Sequence, residues 1–170
     1  MSEEPPRFRP LVIFEVLARH KVDYVLIGGL AATLAGSPLT TGDVDICPDR
    51  SFDNLVSLTA ALRELRARVH AADSPRGIPF NFAPETLAHV EIWNLVTDGG
   101  RLDIAWVPAG TRGFPDLIRE AVTYDVDGIA VRAASLADVI RSKEAAGRER
   151  DRAALPTLRL LLERLERGGD

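Results

Sequence analysis

The chain has 170 residues, 46% hydrophobic and 27% charged, which is the size and apolar content of a soluble globular protein with a substantial core. Its formal net charge of −4 excludes a global positive field that would recruit nucleic acid, so any such contact has to use a local basic face. The lone Cys47 excludes an internal disulfide and fits a reducing cytoplasm, the acidic, proline-rich start MSEEPPRFRP does not read as a signal peptide, and no apolar run is long enough to span a bilayer.

Apolar residues at helical spacing predict a first helix over Leu11 to Arg19, and the β-forming run VDYVLI predicts a strand over Val22 to Ile27. A glycine pair, Gly28-Gly29, then breaks the chain before a short helix over Leu30 to Leu34. GDVDIC reads as the second strand. Ser51 is placed to cap a helix from Phe52 to about Arg68 with leucines 55, 58, 62 and 65 along one side. Residues 70–85 contain three prolines and read as loop. HVEIWNLVT and RLDIAWVP flank Asp98-Gly99-Gly100, a hairpin signal. A helix over Phe114 to Val122 has Pro115 near its start, and TYDV and IAVRA flank a second tight turn at Asp127-Gly128. Ser135 with Asp138 is a capping-box-like start for a helix running toward Gly147, and Pro156 suits the first turn of a last helix ending near Gly168. The fold class is therefore α+β: a small mixed sheet with flanking helices, a core over 1–134 and C-terminal helices over 135–170 that complete a cleft.

The chemistry is in the second strand. Residues i and i+2 of a strand share a face about 7 Å apart, so Asp43 and Asp45 project together while Val44 and Ile46 face the other way. Like charges this close repel and raise each other's pKa, and a divalent cation removes the conflict. Asp103, in RLDIAWV, points away from its apolar neighbours Leu102 and Ile104. If its strand lies beside the first pair, three carboxylates converge on a metal site, and two bound ions there would suit an in-line phosphoryl displacement. Gly28-Gly29, between a strand and a helix start, is the kind of turn that lets backbone N–H groups approach phosphate. The bland alternative is a solvated edge strand carrying two aspartates.

The order of these pieces, IGGLAATLAGSPLTTGDVDI followed by a later strand aspartate, resembles the glycine pair and D-x-D signature of the DNA polymerase β-like nucleotidyltransferase superfamily. The tail SLADVIRSKEAAGRERDRAAL is similar to that of the AbiEii-like and MenT-like minimal nucleotidyltransferases, many of them toxins of toxin–antitoxin pairs. The resemblance runs from about Tyr24 to Leu155. It implies a cytoplasmic, Mg²⁺- or Mn²⁺-dependent enzyme using two ions to move a nucleoside monophosphate from an NTP to a hydroxyl. The implied acceptor is an RNA 3′ end, tRNA in particular, and the implied partner a cognate antitoxin. Gly28 and Gly29 would line the triphosphate, with Thr41 beside it. Asp43, Asp45 and Asp103 would bind metal, Asp103 also helping to deprotonate the acceptor. Lys143 would contact the nucleotide phosphates, and Asp151 matches the acidic residue that follows the K-E-x-x-G-R segment. Leu39 departs from relatives that carry a basic residue there. Other branches of the superfamily imply small-molecule (aminoglycoside-type) or protein acceptors, and a degenerate domain would be a non-catalytic binding or antitoxin module.

The remaining candidates are read against plainer roles. Arg148, Arg150 and Arg152 are interleaved with Glu149 and Asp151, as on a solvated helix face, yet they are also the local basic patch on which RNA would dock. Ser142 could bind a phosphate but reads more simply as surface, and Arg63, Arg66 and Arg68 as cations suited to a helix C-terminus. Thr41 also reads as a turn hydroxyl, at a place where part of the MenT-like group is phosphorylated. His20, His70 and His89 lack ligand spacing. Cys47 reads as core or site edge, and Trp93 and Trp106 as core in preference to a base-stacking surface.

Overall fold

The computed structural model describes residues 4–168. Helix α1 (Pro10–Arg19) turns Ile13, Phe14, Val16 and Leu17 into the core. Strand β1 (Tyr24–Ile27) runs directly into α2 (Gly28–Leu34). Strand β2 (Asp43–Pro48) precedes α3 (Phe52–Glu64), whose cap Ser51 accepts a hydrogen bond from the Asn54 backbone N–H. There follow β3 (Arg68–Ala71), β4 (Ser74–Pro79), α4 (Pro84–His89), β5 (Ile92–Thr97), β6 (Gly100–Ala105) and the single turn α5 (Phe114–Leu117). The chain ends with β7 (Val122–Val126), β8 (Ile129–Ala133), α6 (Leu136–Ala146) and α7 (Glu149–Gly168).

The strands form one mixed sheet in the order β4-β3-β5-β6-β2-β1-β8-β7. The pairs β2–β6 and β1–β8 are parallel and the rest antiparallel. Register places the site. Asp45 is opposite Asp103 and Asp43 opposite Arg101 across β2–β6, and Asn94 of β5 is opposite Asp103. These residues share one face of the sheet. On the other face Val44, Ile46, Leu102 and Ile104 are fully buried, in a core shared with Leu17 of α1 and Leu58 and Leu62 of α3. Helix α6 packs on α2 and α7, which sets the C-terminal helices against the start of the D-x-D strand. Among the described residues no helix is long and apolar enough to cross a membrane.

The α+β class holds, with four corrections in the elements. Residues 68–79 form the β3–β4 hairpin where the sequence reads as loop. Pro75 and Pro79 are tolerated because β4 is the edge of the sheet, where a missing N–H breaks no ladder on the solvent side. Helix α3 stops at Glu64, and Arg66 turns the chain with φ +50, so Arg68 belongs to a strand and not to a helix C-terminus. Helix α5 is only one turn, because the β-branched Val122 and Thr123 pair with β8. Helix α7 starts at Glu149, so Pro156 lies inside it and not in its first turn. The earlier start follows from the left-handed Gly147 (φ +62) that ends α6, and from Asp151, which takes the backbone N–H of Arg148 three residues upstream.

Candidate active site

A cleft of about 810 Å³ lies over the polar face of the sheet, bounded by β2 and β6 on one side and by α2, α6 and the start of α7 on the other. Asp43, Asp45 and Asp103 form its floor, each offering a carboxylate oxygen, and these oxygens lie within 4.8 Å of one another. Among the described residues this is the one cluster of His, Cys, Asp and Glu so placed. The two strands run parallel, so both D-x-D carboxylates and Asp103 meet on adjacent strands at the same level. A donor set of three carboxylates, with no sulfur or imidazole, fits a hard divalent cation of the Mg²⁺ or Mn²⁺ type.

The electrostatics of the floor agree with that fit. Burial, followed by the neighbouring charges of Asp43 and Asp103, pushes the Asp45 carboxyl up to about 7, against an opposing pull from Arg150. Burial also raises Asp103, and Asp43 adds to the rise, while Arg101 acts the other way. Carboxyl groups held this close are costly to ionise together without a cation. Local contacts fix their positions. The Thr41 hydroxyl donates to Asp43 Oδ1 at 3.2 Å. Arg101 Nη2 donates to Asp103 Oδ1 at 3.2 Å.

The glycine pair opens α2 at the edge of this floor. Gly28 has φ +70, and a β-carbon there would lie 2.5 Å from Asp45 Oδ2. One on Gly29 would lie 3.0 Å from Thr41 Oγ1. Both positions are therefore kept bare by the D-x-D strand itself and by the loop that leads into it.

The opposite wall is cationic. Lys143 of α6, Arg148 just before α7 and Arg150 in its first turn line the cleft. Asp151, with a side chain 0% exposed, holds two of them: Arg148 Nε donates to its Oδ2 at 2.7 Å and Lys143 Nζ stands 3.5 Å from its Oδ1. Burial alone would raise the Asp151 carboxyl, but the hydrogen bonds and charge of Arg148, with the charge of Lys143, hold it below the usual carboxylate range. The structure thus makes Asp151 a buried anchor for cations. Arg152 is exposed and outside the cleft lining.

Some residues enter the site without having been singled out. Arg101 sits two residues before Asp103 on the same strand face, and its alternation with the aspartate was the available signal. Asn94 lines the cleft beside it, and no motif marks it. Two residues that the sequence did single out, Ser142 and Leu39, also line the cleft, Ser142 against its reading as surface. Cys47 keeps the face of the D-x-D pair but is fully buried; its thiol is pushed up to about 12 by burial and contacts the Trp106 carbonyl at 3.4 Å, so it has no character of a nucleophile. Trp93 and Trp106 are core, both donating their indole N–H to the Leu87 carbonyl at 3.1 Å.

No protein-family profile and no curated protein sequence matches the chain. Solved structures do. One is the lincosamide antibiotic adenylyltransferase LnuA in its lincomycin-bound form, with a TM-score of 0.59 and 14% identity over 89% of this chain and 95% of that one. Another is TM1012 from Thermotoga maritima, assigned as a nucleotidyltransferase, with a TM-score of 0.53 and 20% identity over 94% of this chain and 97% of that one. At these identities the likeness establishes the fold alone: the chain shares the α+β architecture of these two structures, the fold that its glycine pair and D-x-D strand led us to expect.

Proposed function

We propose that the protein is a nucleotidyltransferase that moves a nucleoside monophosphate from an NTP to the 3′ hydroxyl of an RNA. The observation that carries the proposal is the meeting of Asp43, Asp45 and Asp103, within 4.8 Å, beneath a wall of Lys143, Arg148 and Arg150. An anionic floor facing a cationic wall is complementary to a triphosphate bound with its divalent cation. In the reaction the acceptor oxygen forms a bond to the α-phosphorus, the bond from that phosphorus to the bridging oxygen breaks, and pyrophosphate leaves with the electron pair.

Asp43, Asp45 and Asp103 would hold two Mg²⁺ or Mn²⁺ ions. Bound there, the metal supplies electrostatic stabilisation of the charge that develops on the phosphoryl oxygens. The chain's own groups do the rest. The raised Asp103 carboxyl is suited to accept the proton of the acceptor hydroxyl. Lys143, held by Asp151, and Arg150 face the triphosphate, while Gly28 and Gly29 leave its approach clear of side chains. The helices after Ser135 supply these cations, so we take them as part of the catalytic unit. The AbiEii/MenT-like tail supports tRNA as the acceptor and a toxin role beside a cognate antitoxin.

A second reading is a small-molecule acceptor. It is favoured by the exposed apolar side chains Leu39, Ile92 and Val107 in the cleft lining, and by the likeness to LnuA. Incubation with each α-labelled NTP, Mg²⁺ and deproteinised total RNA separates the two. We expect label in RNA and release of pyrophosphate. Label confined to a low-molecular-weight alcohol would favour the second reading, and no transfer to any hydroxyl would overturn both.

A further inference from the structure

We infer that the acceptor strand is led to the carboxylates by an arginine patch on the N-terminal side of the sheet, and not by the arginines of α7. The inference rests on the reading of RNA as acceptor. Arg7, Arg9, Arg66, Arg68 and Arg76 surround Asp98 at the β5–β6 turn. All five are exposed, in a chain whose net charge is −4. Asp98 binds Arg66 through its carboxylate and Arg9 through its carbonyl, and Arg76 donates to the Glu4 carbonyl. Arg7 and Arg68 make no ion pair among the described residues. Five arginines around the Asp98 carboxylate, with Glu4 at the rim, leave the patch net positive.

Its placement points to a nucleic acid strand. Arg68 is opposite Val96, Val96 opposite Arg101, and Arg101 opposite Asp43, so the four form a row across β3, β5, β6 and β2 on one face of the sheet. Strands lie about 4.8 Å apart, which puts Arg68 roughly 14 Å from Asp43 with Arg101 between them. An extended single strand of a few nucleotides would cover that distance. A 3′ hydroxyl at Asp103 would then have its preceding phosphates over Arg101 and next over Arg68 and Arg76. On the other wall Asp151 binds Arg148 and Lys143, and Arg152 lies outside the cleft lining, whereas Arg101, paired with Asp103, stands in the row itself. An acidic polypeptide would also be attracted to the patch, but it has no reason to follow a row that ends at the phosphoryl-transfer carboxylates.

The test uses a 3′-hydroxyl, single-stranded RNA 12-mer with a 5′ fluorophore, titrated with the full chain at several salt concentrations. Arg68→Ala/Arg76→Ala should weaken binding about tenfold and make the log–log salt slope shallower by about 1.4, two single-strand phosphate contacts. Arg68→Lys/Arg76→Lys should retain most of the binding. Affinity for Mg²⁺·NTP should match wild type in both variants, because the patch lies outside the cleft lining. Unchanged RNA affinity and slope in the alanine variant, with RNA still labelled by wild type, would overturn the patch and leave the RNA reading standing. Poly-L-glutamate binding the patch as tightly as RNA at equal charge would assign it to an acidic protein and overturn the inference. A wild-type protein that transfers label to a small alcohol and neither binds nor labels RNA would remove the acceptor reading itself.

Discussion

Gly28 and Asp45 are in such close register that a β-carbon on the glycine would lie 2.5 Å from a carboxylate oxygen of the aspartate. The glycine also holds φ +70. Alanine there is strained by its own backbone and displaces a carboxylate of the floor. Gly28→Ala should lower stability by about 1 kcal/mol or more and reduce nucleotidyl transfer more than it reduces folding. Thermal unfolding together with turnover measures both, and an alanine variant with wild-type turnover would contradict the close-contact role.

Asp43→Ala and Asp45→Ala should each abolish transfer while the fold persists. Removing either carboxylate relieves repulsion within the floor, so the metal-free melting temperature should hold or rise. Calorimetry of Mn²⁺ binding should show the loss directly. Full activity in either variant would end the metal assignment.

Stability of the metal-free protein should carry the signature of Asp45. Its carboxyl is raised from 3.8 to about 7 in the fold. Across that window the native state keeps a proton that the unfolded chain has released, so this group's contribution falls as pH rises from about 4 to about 7. Asp45→Asn should therefore gain stability relative to wild type over that interval and run parallel to it above. Divalent cations compete with the same proton, so their affinity should tighten toward and beyond pH 7. Denaturant titrations of wild type and variant that differ by a constant at every pH would refute the assignment.

Asp103→Asn should cut turnover far more than it weakens NTP binding. In the proposed reaction this group takes the acceptor's proton, and its carboxyl, raised by burial, suits that uptake. Single-turnover kinetics beside equilibrium NTP titration separates the two effects. Normal turnover with lost NTP affinity would make Asp103 a binding group only.

Lys143→Ala should slow transfer about 10²-fold, the scale of one lost charged donor to a transition state. Asp151→Asn should act on the same step through Lys143 and Arg148, and should also cost about 1–3 kcal/mol of stability at neutral pH, because it removes the buried acceptor of both cations. Its carboxyl is depressed in the fold, so that stability is present above about pH 4 and fades as pH falls through the folded value. A stability difference between Asp151→Asn and wild type that does not shrink in acid would contradict the anchoring role.

Much of the site is legible in the sequence. Period-2 alternation placed Asp43 with Asp45 and turned Asp103 away from Leu102 and Ile104, because a half-buried strand separates its apolar and polar residues by parity alone. Gly28-Gly29 marked a bend, and Ser135 with Asp138 marked a helix start, because those are local demands of backbone geometry. The β3–β4 hairpin was not legible, since two prolines argue against a strand unless it is known to be an edge, and only the sheet order makes β4 one. The span of α7 was obscured for a similar reason: Pro156 reads as a helix start until the cap at Arg148 is seen.

What the sequence alone determined, then, is which side chains share a face and where the chain turns. Tertiary structure decided which strands are neighbours. The parallel pairing of β2 with β6 turns three scattered aspartates into one floor, and the row from Arg68 to Asp43 exists only through β3, β5, β6 and β2 lying side by side. The burial of Asp151 beneath Lys143 and Arg148 is likewise set by the packing of α7 on α6. Parity and turn preferences act over a few residues, whereas strand order and helix docking are fixed by the burial of distant apolar faces against one another.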